Sequence, residues 1–112
     1  MTASDPRDPA QASAAARDKA LESRAADLRN HMLGEWAAGL MGLDNPKAYA
    51  AAVSRSQAEQ PRDEDVHRKV SHDLTDSGLA SAAAEVWAKM DEFLAQARAR
   101  LAGEGPDRGR AG

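Results

Sequence analysis

The densest run of large apolar residues, HMLGEWAAGLMGL at positions 31–43, dictates a helix that other helices must cover. Met32, Trp36 and Leu40 recur every four residues, and Leu33, Ala37 and Met41 lie one step round. The apolar face is therefore well over about 100° wide, too broad to be left in water. Gly34 and Gly39 each cost about 1 kcal/mol relative to alanine in a helix interior, which predicts another backbone passing close by. Gly42 reads as the C-terminal stop.

Elsewhere large apolar residues are scarce. The 112 residues contain nine leucines, four valines, one phenylalanine and no isoleucine, far below the roughly 20% under which disorder becomes a strong prior. A net charge of only -3 leaves that signature incomplete. The expectation is an all-α fold, a small four-helix bundle with disordered N- and C-terminal tails, the alternative being a partly folded chain. The length allows a single core, so the organisation expected is a disordered arm over 1–16, a helical domain over 17–102 and a disordered tail over 103–112.

Taken in order, Leu21, Ala25, Leu28 and Met32 carry an apolar stripe from a helix start near Arg17 or Asp18 down to Gly42. Asn45 is a good N-cap and Pro46 a good first residue for a second helix over 46–59, with Tyr49, Ala52 and Val53 inward. After a break at 60–62, Asp63 caps a third helix. Asp63, Glu64 and Asp65 crowd its positive end, Val66, Val70 and Leu74 form its inward ladder, and Gly78 ends it. Ser81 caps a fourth helix over 82–102 whose seam is Trp87, Met90, Leu94, Ala97 and Leu101, widened by Val86 and Phe93. Trp36 and Trp87, on the widest apolar faces, are both expected in one core.

Several function classes are excluded. Interspersed charges give no basic footprint for nucleic acid or anionic lipid, and no stretch is apolar enough to insert in a membrane. The absence of cysteine removes disulfides and thiolate metal sites and fits a reducing, cytoplasmic setting, and the opening MTASDPRDPAQ is no signal peptide. His67 and His72 stand about 140° apart on a helix, and His31 is on another, so no metal set forms. The acids at 63–65 lack the spacing of a calcium loop. There is no nucleophile elbow and no phosphate-cradling loop, so no catalytic residue and no cofactor is expected.

Four separated blocks carry a resemblance. They are Arg29-Asn30 with Leu33-Gly34, Trp36-Ala37-Ala38 and the LMGL of 40–43; Ala48-Tyr49-Ala50; PRDEDVHRKV at 61–70; and Lys89-Met90. In this order they make the chain resemble, over roughly residues 17–102, the zeta-subunit family, small bacterial proteins whose founding member inhibits the F-type ATP synthase. The resemblance implies a four-helix bundle whose N-terminal segment enters the catalytic head of the synthase and blocks rotation in the hydrolytic direction, with weak nucleotide binding also associated with the family. Arg17-Asp18-Lys19-Ala20-Leu21-Glu22 is similar to the opening of the family's inhibitory segment, with Leu21 where the family has Phe. From there to Arg29 the segment is shorter by roughly ten residues, about 15 Å of helix.

Two functions of different class follow. In the first, the chain is a regulator whose N-terminal helix docks on the synthase head through Lys19, Leu21, Glu22 and Arg24, with inhibition weakened by the shortened segment. In the second, it is a diverged, non-inhibitory paralogue acting as a small protein- or nucleotide-binding module.

Overall fold

A computed structural model of the chain describes residues 9–59 and 62–103, and among these every regular element is helical. The order is α1 (Pro9–Met41), α2 (Pro46–Glu59), α3 (Asp63–Asp76), α4 (Ala80–Ala83) and α5 (Val86–Gly103). The expected all-α bundle is therefore present, but it is elongated, measuring 59 × 37 × 21 Å. Its length comes from α1, whose 33 residues run about 50 Å.

The first helix begins at Pro9 and not near Arg17, so the expected disorder of 1–16 does not hold over 9–16. Alanine fills six of the positions 10–20, proline suits a first helical turn, and extending a helix already anchored in a bundle carries no nucleation cost. Residues 1–8 of the expected arm and 104–112 of the expected tail lie outside the described residues.

The bundle closes around Leu33, Ala37, Val53, Val66, Val70, Leu74, Val86 and Met90, all buried, with Trp36, Tyr49 and Phe93 packed at its edge. The expected ladder Val66, Val70, Leu74 is the inner face of α3. On α1 the inner face is turned one step from the expected stripe. Ala25, Leu33, Ala37 and Ala38 are buried, whereas Leu21 and Leu40 are 45% and 48% exposed. The reason is α2, which packs on the small residues: a Cβ added at Gly34 would stand 2.6 Å from the Ala50 Cα. Gly39, expected to mark a similar approach, has no neighbour within 4 Å.

The turns are defined by local chemistry. Gly42, at φ +71°, ends α1 with its N–H donating to Gly39 O (3.2 Å) and the Leu43 N–H to Ala38 O (3.0 Å), a Schellman motif. Gly78, at φ +80°, repeats it after α3, with Gly78 N–H to Thr75 O (3.0 Å) and Leu79 N–H to Leu74 O (2.8 Å). Asn45 caps α2 as expected, its Oδ1 accepting from the Ala48 N–H at 3.1 Å. Asp63 does not cap α3: extended Arg62 holds that position with no side-chain cap, and the Asp63 carboxylate turns to Arg29 instead.

The last expected helix is split. Ser81 lies inside α4, which follows Leu79 with no side-chain cap, and the chain bends at Ala84 and Glu85 before α5. The short α4 packs on α3 while α5 runs along α1. The bend also sets the register of α5. Val86, Met90 and Ala97 face inward and Trp87 is 45% exposed, so the two tryptophans do not share a core. Trp87 instead stacks on His67 of α3, ring centroids 4.4 Å apart and 14° from parallel.

Candidate functional site

The N-terminal half of α1 is the part of the fold left over once the core is closed. Residues 15–24 are all exposed, and Ala25 is the first buried position. From Ala15 to Arg24 the helix is exposed over about 15 Å, a rod continuous with the bundle in which Leu21 is the one large apolar residue.

The four sequence-selected residues Lys19, Leu21, Glu22 and Arg24 all lie on this rod, but not on one face. At 100° per residue, Arg24 is about 60° to one side of Leu21, Glu22 about 100° to the other, and Lys19 about 160° away. Glu22 faces the bundle. Arg98 of α5 grips its carboxylate with two nitrogens, Nη2 at 2.8 Å from Oε1 and Nε at 3.2 and 3.3 Å from the two oxygens. The hydrogen bond from Arg98 holds the Glu22 carboxyl below the usual glutamate range and raises the arginine in turn. Both groups are half exposed, so the pair sets an orientation more than it adds stability.

Below Glu22 the rod is rooted by polar clamps. Arg29 is buried on α1, its Nε donating to Asn30 Oδ1 at 2.9 Å and its Nη2 to Asp63 Oδ1 at 3.0 Å. A buried guanidinium requires such partners, and this one ties the root of the rod to the start of α3. Asp27 accepts a hydrogen bond from the Ser54 hydroxyl, which ties it to α2. Further along, the Tyr49 hydroxyl donates to Asp73 Oδ2 (2.7 Å) and Lys69 Nζ pairs with the same oxygen (3.3 Å), joining α2 to α3. Burial, reinforced by Asp73, pushes the Tyr49 hydroxyl far above the ordinary tyrosine range, so it remains a donor.

At the opposite end, an open groove of about 550 Å³ is lined by Trp36, Leu40, Leu79 and Ala82, with Glu85 and Lys89 at its rim. Lys89 Nζ stands 5.8 Å from the ring centroids of both Trp36 and Phe93 and pairs with Glu92 at 3.3 Å. Among the described residues no group of three His, Cys, Asp or Glu side chains could hold a metal ion, and no helix is long and apolar enough to cross a membrane.

The family model described as ATPase inhibitor subunit zeta matches residues 1–100. The chain belongs to that family. No curated protein and no solved structure matches it. Members of the zeta family are regulatory and not catalytic, and this zeta-family chain is accordingly no enzyme. The blocks that carried the resemblance now have structural roles: Arg29-Asn30 and the 61–70 block meet in the Arg29–Asp63 clamp, and Gly34 and Ala50 form the α1–α2 contact.

Two participants escaped the sequence reading. Arg98 sits on the exposed side of α5 among other charges, and nothing in its spacing points 76 positions back to Glu22. The Arg29–Asp63 pair has a sequence signal, since an arginine on the inward face of a helix must find an acid, but an aspartate at a helix start reads equally as a cap.

Proposed function

We propose that this chain regulates an F-type ATP synthase by docking on its catalytic head and blocking ATP hydrolysis with the N-terminal half of α1, acting in the cytoplasm. The observation that carries this reading is the pre-formed helix that starts at Pro9 on a rooted bundle and is exposed over residues 15–24, in a chain of the inhibitor family. A helix already folded before it binds loses little ordering entropy on entering a groove, which favours insertion. Residues 9–16 lengthen the rod by about 12 Å, offsetting most of the reach lost through the shortened segment. Leu21 in place of an aromatic anchor remains the weaker feature, because large aromatics dominate such contacts.

The test is a pull-down from bacterial extract with the full chain as bait, followed by identification of the captured subunits. Recovery of the synthase head above a scrambled-rod control is expected, and its absence at low salt refutes docking. A second reading, a non-inhibitory small-ligand module, is favoured only by the groove beside Trp36, whose volume lies in the range of ligand pockets. It predicts a saturable change in tryptophan emission on titration with nucleotide, abolished by Trp36→Phe together with Lys89→Ala.

A further inference from the structure

Apart from Lys19, about 160° from Leu21, the charges on the rod are sorted by side. Relative to Leu21, Arg17 and Arg24 lie about 40° and 60° to one side, whereas Asp18 and Glu22 lie about 60° and 100° to the other. The acidic side is turned toward α5, where Arg98 takes Glu22. The basic side is turned away from the bundle. Arg17 and Arg24 are exposed there, and among the described residues no hydrogen bond or ion pair engages either guanidinium. Between the two sides stands Leu21, 45% exposed and the one large apolar side chain of the projecting segment.

Resting on the docking reading above, we infer that the rod meets its partner through the face Arg17, Leu21 and Arg24, which fits a surface with an apolar notch flanked by carboxylates. Glu22 is not part of that contact: its carboxylate is already taken by Arg98 of α5, on the side turned toward the bundle. Two arginines one heptad apart present planar forks to carboxylates along one line, and Leu21 between them supplies the apolar anchor. Because no described residue engages either guanidinium, no ion pair among the described residues has to break when they bind.

The experiment measures binding of the full chain to purified, immobilised synthase head by interferometry at two salt concentrations. Four proteins are compared: native, Arg17→Glu/Arg24→Glu, Arg17→Gln/Arg24→Gln and Glu22→Gln, with helicity checked by circular dichroism. The charge reversal is expected to weaken binding by at least about tenfold, the neutral pair by less, and the difference from native to shrink at high salt. Glu22→Gln is expected to stay within about threefold of native, since its partner is on the same chain. Native binding with an unchanged double reversal overturns the assigned face while leaving docking intact, as does a loss on Glu22→Gln equal to that of the reversal. A native chain that does not bind the head refutes the docking reading, and this inference with it.

Discussion

Gly34→Ala and Gly39→Ala are the same chemical change on the same helix, and the packing predicts opposite signs. In water-exposed helix, alanine for glycine stabilises by about 0.5 to 1 kcal/mol, and Gly39, with no neighbour within 4 Å, is expected to show that gain. At Gly34 the new methyl group would sit 2.6 Å from the Ala50 Cα, 3.1 Å from its Cβ and 3.3 Å from its nitrogen. Two of these are backbone atoms, so no side-chain rotation relieves them, and α1 and α2 must part by about 0.8 Å to reach a 3.4 Å contact. Parting them also loosens Leu33 and Ala37 against Val53. Overpacking of this kind costs typically about 1 to 3 kcal/mol, which outweighs the propensity gain and leaves a net loss of about 1 to 2 kcal/mol. For a domain this small each kcal/mol moves the melting temperature by about 4 to 8 °C, so the two variants should differ by about 6 to 24 °C in thermal melts followed by circular dichroism. Equal melting temperatures for the two variants would falsify the close approach of α1 and α2.

Further outcomes follow from other parts of the fold. Met90→Ala, in the core, should cost about 2 to 5 kcal/mol in urea denaturation, whereas Trp87→Ala, half exposed, should cost under about 1.5 kcal/mol; a reversed order would place Trp87 inside. Arg29→Ala should lose about 2 to 3 kcal/mol by removing a buried charge-assisted clamp, and the more exposed Asp63→Ala less; denaturation midpoints equal to the parent for both would contradict the clamp. Burial lowers the His67 pKa below its ordinary value near 6.5, so the folded state disfavours the imidazolium. Stability should therefore be full above pH 6.5 and fall as pH drops from there through the folded-state pKa, and His67→Gln should flatten that part of the profile. An unaltered slope between pH 7 and 5 in the variant would assign the effect to other groups.

How much of this was legible in the sequence depended on the size of the side chains. Where Val66, Val70 and Leu74 recur every four residues, or Asn45 precedes Pro46, and at the stops Gly42 and Gly78, local chemistry settles the outcome and the structure agrees. Where the face is built from alanine, periodicity loses its contrast. The inward line of α1 runs through Ala25, Leu33, Ala37 and Ala38, and the large Leu21 and Leu40 lie outside it. The same alanine richness hid the start of α1 at Pro9, where intrinsic propensity extends the helix with no apolar period to announce it. The bend at Ala84 and Glu85 is a tertiary decision, made by α4 on α3 and α5 on α1, and it carried Trp87 out of the seam. The candidate site was legible as a segment, but its faces were not, since they depend on Arg98 from the far end of the chain.

The central claim, inhibition through the N-terminal half of α1, is tested most directly in a synthase hydrolysis assay. The native chain is titrated alongside a chimera that carries a full-length zeta-family N-terminal segment joined at residue 29. The native chain is predicted to inhibit ATP hydrolysis, and the chimera to do so more potently, because it restores an aromatic anchor where Leu21 stands and each 1.4 kcal/mol regained is about tenfold in affinity. Equal potency of the two proteins, or no inhibition by the native chain at saturation, would contradict the assignment of inhibition to this helix.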